Sequence, residues 1–497
     1  MLYTLRGLEV MKYHLSINII VSICVILSMF QSLSIQETNA QSNEIIDYVI
    51  IAPESFREAL NPLMDHKTQQ GISTKIVTLE EIENESYPQT IGRDSAENIK
   101  YFITFSHETW GTNYILLAGG KQQIPVRYAN INISEGSLAY PYSFLSRLPF
   151  IDDNPLIPQF STYISDLYYA DLYFENGSFC SWDTNNNLKF SEKNETMQID
   201  LVDITPDVAV GRFLCQTSDQ IETIVEKIIT YETTAYQQEW FNHLIVSGGD
   251  THSLWRDLLI KPMIPAEYNA QIAWEGEYMG DVAAATLDDF QVHKIYATGL
   301  INDESVPISK ETISNQINNG CGFLLLAGHG YPEAWGTHPP SLFGKIWLPG
   351  PVINPELYNS NDVQALSNQE KLPVAVISAC SCGDFNETLS PFAWEFVQNP
   401  HGGAIASFAC STLGTLLPTT VSADTLNGKL ALGVFDAYKN GVHRLGDIWK
   451  ETISSYLSDE KAMELGDFAQ VYWLNQFNLE EWILFGDPTL QVGGYPD

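Results

Sequence analysis

The sequence predicts an α/β protein of two fused lobes, each a mostly parallel sheet flanked by helices. Two observations predict it. Short apolar runs alternate with amphipathic helical stretches from Asp47 to Gly120, and a second alternation starts at His243. The runs are continuous rather than every-other-residue, the pattern of strands covered on both faces. A length of 497 residues exceeds one ordinary core and suggests two to four domains, or two fused lobes.

The first alternation reads in order. "DYVIIAP" (Asp47 to Pro53) is an apolar strand ending in a turn, and "ESFREALNPLMDHKTQQG" has helical spacing and stops at Gly71. "STKIVTL" is the next strand, "SAENIKYFITFSHETWG" a helix with Ser95 as its cap, and "NYILLAGG" the third strand. The unit is βαβαβ, for which right-handed crossovers and a parallel sheet are expected. From about residue 125 to 205 the rhythm is lost in Tyr-, Asn-, Ser- and Asp-rich sequence, read as a loop-rich insertion. "DVAVGRF" closes the first lobe, spanning about residues 45 to 235, and "SDQIETIVEKIITYETT" is a linking helix, capped by Ser218 with Glu222 near the capping-box position.

The second lobe, residues 236 to 497, runs through "HLIVSGGD", "QIAWEGE", the helix "SKETISNQINNG" and the strands "CGFLLLAGHG", "LPVAVISAC" and "GGAIASFAC". "TLNGKLALGVFDAYKNG" and "GDIWKETISSYL" are helices that cover its faces. Open α/β sheets bind ligands beyond the carboxyl ends of their strands. Asp250, His329 and Cys380 all fall there.

Composition excludes some functions. With 25 basic against 61 acidic residues the formal charge is −36, and no Lys/Arg cluster offsets it, so nucleic acid is not an expected partner. Such a field attracts basic substrates or Ca²⁺, or simply keeps a surface solvated. Residues 1 to 40 read as a signal peptide. Lys12 precedes the 14-residue apolar run Ile17 to Phe30, and small residues near Ala40 offer a cleavage site. The run is short for a membrane span, which needs about 20 residues. A secreted or cell-surface protein with no other transmembrane segment is expected, and an uncleaved anchor is the alternative. Removing Cys24 with the signal leaves Cys180, Cys215, Cys321, Cys380, Cys382 and Cys410. An even count permits disulfides, whereas the lack of a CxxC pair argues against a zinc knuckle.

Cys380 and His329 lie 51 positions apart at the ends of two strands, far enough for a strand–helix–strand unit. A thiol becomes a good nucleophile when an imidazole takes its proton. The amides of Gly330 and Cys380, in turns at strand ends, suit an oxyanion hole. His252, His338 and His401 compete with His329, and Cys382 with Cys380, which position favours because it ends the apolar run.

"GHGYPEAWG" with "SACSCGDF" resembles the catalytic pair of the gingipain family of cysteine peptidases, relatives of the caspases and legumain. "LFGDPTLQV", "YILLAGG", "SDLYYADL" and "DVAVGRF" resemble other parts of that family, so the similarity spans roughly Ile46 to Val492. The resemblance implies two caspase-like lobes, the second catalytic, with Cys380 as nucleophile and His329 as general base. It also assigns the Gly330 and Cys380 amides to the oxyanion hole, and Asp250 as the acid orienting the imidazole, where the family has Glu.

The resemblance implies a secreted endopeptidase acting on protein or peptide substrates through a thioester acyl-enzyme, with a basic preference for which Asp257, Glu275 and Glu277 are candidate pocket acids. No cofactor is required for such catalysis; structural Ca²⁺ in "SDLYYADL" or "WDTNNN" is an expectation from the family. No large propeptide or C-terminal immunoglobulin-like module is expected from the sequence flanking the two lobes. The alternatives are a transpeptidase or protein-sorting enzyme, in which an amine replaces water, and a surface binding protein without turnover.

Overall fold

The computed structural model describes residues 45–88, 90–132, 162–194, 198–251, 274–300, 305–339, 357–414, 423–459 and 472–496. The proposed signal peptide therefore lies outside the described residues. Continuous apolar runs become central strands because both of their faces are covered. β1 (Tyr48–Ala52), β2 (Thr74–Thr78) and β3 (Tyr114–Ala118) form the first βαβαβ unit. β4 (Tyr128–Asn132), β5 (Thr162–Ile164) and β6 (Phe190–Asn194) make a small separate sheet within the insertion. β7 (Ala209–Phe213) returns to the main sheet.

The second half contributes β8 (His243–Gly248), β9 (Gln291–Tyr296), β10 (Val306–Pro307) and β11 (Phe323–Ala327). β12 (His329–Tyr331), β13 (Ala334–Gly336) and β14 (Tyr358–Asn359) form a second small sheet. β15 (Val374–Ser378), β16 (Ala406–Cys410) and β17 (Trp482–Phe485) complete the main sheet.

Among the described residues the strands of both halves lie in one sheet of eleven, in the order β10-β9-β8-β11-β15-β16-β17-β7-β3-β1-β2. Every pairing in it is parallel except β16 with β17. β17 is the joint. It runs antiparallel to β16 through four residue pairs and touches β7 at Phe485 and Arg212, where the Gly486 N–H donates to the Arg212 carbonyl at 3.1 Å. Residues from Ile46 onward form one compact unit. Among the described residues no helix is long and apolar enough to cross a membrane.

The joint is reinforced by charge in the interior. Lys67 on helix Arg57–Gln69 reaches Glu232 and Asp487, each at 2.7 Å, and all three side chains are fully buried. Burial alone depresses the Lys67 pKa; Asp487 and Glu232 outweigh it and leave the ammonium more strongly protonated than in water. His66 also meets Glu232, at 2.9 Å, and the Gln491 N–H donates to the same carboxylate at 2.7 Å. Arg212, equally buried, forks onto Asp166 at 2.6 and 2.7 Å.

Several local expectations shift. Helix Ser95–Trp110 is capped by Asp94, whose carboxylate accepts the Glu97 N–H, so Ser95 is the first helical residue and not the cap. Helix Ser218–Thr234 is likewise capped one residue earlier, by Thr217 in a capping box with Gln220 in place of Ser218 and Glu222. In both places two adjacent polar residues can cap, and only the backbone angles choose between them. "QIAWEGE" reads as part of the strand alternation, but helix Glu275–Thr286 begins inside it and the next strand is "QVHKIY".

Replacing Asp487 with Asn leaves Lys67 with one buried carboxylate instead of two. Breaking a buried ion pair costs about 3–5 kcal/mol. The urea midpoint of Asp487→Asn is expected to fall accordingly with an unchanged m-value, as read by circular dichroism.

Candidate active site

β11 and β15 are hydrogen-bonded in parallel register, with Ala327 opposite Ser378. His329 and Cys380 each lie two residues past that pair, so the register carries both to the same edge of the sheet. The Gly328 N–H donates to the Ser378 carbonyl at 3.1 Å and extends the contact one residue further. The chain then turns differently on the two strands. His329 opens the short hairpin of β12 and β13. Cys380 enters a tight turn in which Ser381 has φ of +54°.

That turn is fastened to the end of β16. The Ser381 N–H donates to the Thr412 carbonyl at 2.5 Å and the Gly383 N–H to the Cys410 carbonyl at 2.8 Å. Gly330 presses on the same turn. A Cβ there would collide with the Cys380 carbonyl oxygen and the Cys382 sulfur and stand 3.0 Å from the Ala379 Cβ. Only glycine permits this approach.

The two sulfurs differ in environment. Cys382 is fully buried, 3.8 Å from the Ala334 carbonyl oxygen, and burial pushes its thiol pKa far up. Cys380 is partly exposed, 3.7 Å from the Gly414 carbonyl oxygen. Desolvation, then the nearby Glu481 carboxyl, pushes its thiol up to about 11. All six cysteines that the structure describes are free, so the disulfides that an even count permits are not formed.

The His329 ring has a defined partner. Its Nε2 lies 2.7 Å from the Thr251 carbonyl oxygen. A carbonyl can only accept, so this nitrogen carries the proton and Nδ1 holds the lone pair. His338 stacks on the same ring, with centroids 5.7 Å apart and planes 18° off parallel. Asp250 is fully buried and enters the same cluster. Its N–H donates to the His338 carbonyl at 2.8 Å, and its Oδ2 lies 4.0 Å from His338 Nδ1. The structure thus groups Asp250, His329, His338 and Cys380 at one sheet edge, with the carboxylate beside His338 and the Thr251 carbonyl on His329. His401 precedes β16 at the opposite edge, and His252 lies outside the described residues.

Of the candidate pocket acids, Asp257 lies outside the described residues. Glu275 accepts the Thr251 N–H at 3.1 Å, and Glu277 accepts the Thr298 N–H and hydroxyl at 2.8 and 2.9 Å. Burial pushes the Glu277 carboxyl up to about 7.

In the expected calcium stretches Asp166 meets Arg212, Asp171 accepts the Trp182 indole N–H at 2.6 Å through Oδ2, and Asp183 meets Arg93 at 2.7 Å; Asp171 Oδ1 has no hydrogen bond among the described residues. Among the described residues no cluster of three or more His, Cys, Asp or Glu side chains is placed to hold a metal.

Two site groups escaped the sequence reading. The Thr251 carbonyl is a main-chain group and carries no residue-type signal. Glu481, just before β17, is fully buried with neither carboxyl oxygen hydrogen-bonded among the described residues, and burial holds it well above the usual carboxylate range. Its only sequence mark is an acid directly before the apolar run "WILF".

A mainly parallel sheet with helices on both sides, and a cysteine and a histidine at the carboxyl ends of adjacent strands, is the layout of the caspase-like cysteine peptidases. The chain belongs to peptidase family C25, whose model matches residues 41–493. It is similar to gingipain R2 of Porphyromonas gingivalis, 20% identical over 456 residues, covering 89% of this chain and 45% of that protein. Gingipain R1 of the same organism is also 20% identical, over 89% of this chain and 34% of its own length. The chain thus spans less than half the length of these relatives. The crystal structure of the Arg-specific cysteine proteinase gingipain R superposes with a TM-score of 0.56 at 17% identity, covering 91% of this chain and 79% of that one. The complex of pro- and mature domains of a Porphyromonas gingivalis gingipain gives 0.54 at 19% identity, over 90% and 79%. At these identities the superpositions establish the fold.

Gly330→Ala should destabilise the protein, because the added methyl must displace a backbone oxygen. Overpacking of this kind costs about 1–3 kcal/mol. The melting temperature read by calorimetry is expected to drop, whereas Gly71→Ala, at a site with open space around it, carries only the penalty of its positive φ.

Proposed function

We propose that this member of family C25 is an exported cysteine endopeptidase in which Cys380 is the nucleophile and His329 the general base. The observation that carries the reading is the β11–β15 register, which sends both residues to one edge two positions beyond Ala327 and Ser378.

The chemistry follows from the ring's tautomer. With Nε2–H committed to the Thr251 carbonyl, Nδ1 is the nitrogen that takes the Cys380 proton as sulfur attacks the scissile carbonyl. The N–H groups of Gly330 and Cys380 donate to the oxygen that becomes negative in the tetrahedral intermediate. As the C–N bond breaks, the imidazolium returns its proton to the leaving amine, and a thioester remains on Cys380. Water, deprotonated by the same Nδ1, attacks the thioester; the acid product departs and the thiol is restored. Asp250 assists by placing a negative charge in the cluster that holds the imidazolium.

A preference for basic residues is part of the proposal. It is supported by the formal charge of −36, by the Arg-specific activity in the name of a solved relative, and by a cavity of about 230 Å³ beside Ser381 with Asp384 and Glu387 in its wall. Export is supported by the apolar run from Ile17 to Phe30.

A thiol-reactive peptidyl probe ending in Arg or Lys is expected to label the purified protein and not Cys380→Ala; equal labelling of both would sink the assignment. His329→Ala should lower peptide hydrolysis by about 10²–10⁴-fold. The sign of the pH effect is also set. Without the imidazole the thiol is left with its raised pKa, so alkylation of His329→Ala should be slow at neutral pH and climb towards about pH 11.

A further inference from the structure

We propose that His338 is a positioning residue for the general base: its buried ring forms a neutral π-wall behind His329 that fixes the imidazole plane and favours the imidazolium formed when Cys380 gives up its proton. The proposal rests on the Cys380–His329 reading above and adds a residue to it.

Four observations carry it. The His338 side chain is about 4% exposed, so it does not face solvent. It lies nearly parallel to the His329 ring at 5.7 Å, within the roughly 6 Å over which a ring face attracts a cation. Its Nδ1 lies 3.1 Å from the Pro339 carbonyl oxygen, which can only accept, so the proton is on Nδ1 and the ring has a fixed tautomer. Its backbone is clamped to the loop after β8. The Asp250 N–H donates to its carbonyl, the two residues form a β-bridge, and a Cβ on Gly249 would stand 2.7 Å from that carbonyl oxygen.

The charges near the pair are negative. Asp250 faces His338 from the β8 loop, at 4.0 Å. Glu275, on its helix, reaches the same loop through the Thr251 N–H. From the turn after β15 come Cys380 and Cys382. The acid placed against the stacked rings is Asp250. A cation on His329 is met by the π-face of His338, and a second cation on His338 would oppose it. The wall therefore acts while it is neutral.

A residue that merely filled space would alter the melting temperature but not the protonation of Cys380, so the test is the pH profile of Cys380 alkylation by iodoacetamide. His338→Leu keeps bulk and removes the π-face. It is expected to raise the alkylation midpoint by roughly half to one pH unit and to slow alkylation about 3- to 10-fold below it. His338→Phe, which restores the face, should bring the midpoint back to within about 0.3 unit of wild type. If His338→Leu does not fold by circular dichroism, His338→Met takes its place. A folded variant lacking the ring with an unshifted midpoint overturns the role, as does a His338→Phe profile displaced as far as that of Leu. His329→Ala separates the two claims. If its profile matches wild type, the dyad itself is wrong and the wall has nothing to position; if it differs and the His338 variants do not shift, only the wall is wrong.

Discussion

The register of β11 on β15 is the constraint from which the site follows. Five consecutive residue pairs, Phe323 with Val374 through Ala327 with Ser378, fix the two strands in step. All ten residues are buried, and each fully buried Leu, Ile, Val or Phe side chain contributes about 1.5–3 kcal/mol. A slip of one residue would turn every side chain to the opposite face and separate the turns that follow. The functional groups need no strong interaction with each other to meet. The apolar strands bring them together, and the glycines beside His329 let the two backbones close.

The same economy governs the rest of the edge. Ser381, Gly383 and Gly328 each use a main-chain N–H to tie one strand end to a neighbour. The imidazole is oriented by another main-chain group, the Thr251 carbonyl, while the acid next to it in sequence turns towards His338. A main-chain partner cannot be removed by a side-chain substitution at that position, so the tautomer of His329 depends on where the β8 loop lies. That loop is held in turn by Asp250, Gly249 and the Glu275 carboxylate.

The sequence was informative where burial dictates residue type. The strands of continuous Val, Ile and Leu, the helices between them and the ends at Gly328 and Cys380 could all be read from periodicity and turn residues. Less could be read where polar residues line a strand. "QVHKIY" alternates weakly, because β9 lies near the sheet edge and its first residues are partly exposed. That both halves build a single sheet was also hidden, since β17 meets β7 through one residue pair far away in sequence. His338 was visible only as a rival to His329; its stacking is a tertiary fact. Glu481 broke the usual rule for buried acids by having no hydrogen-bonded oxygen among the described residues, and no local pattern announces that.

β17 lies between β16 and β7, although it follows both in the chain by dozens of residues. A ribosome therefore releases the thiol and the imidazole well before the strand that seals the sheet beside them. Until that strand arrives, β16 presents an open edge and the Lys67 ammonium lacks its Asp487 partner. Contacts between such distant segments form late and slowly. The sheet edge that carries Cys380 and His329 therefore gains its last neighbouring strand only when the end of the chain has been made.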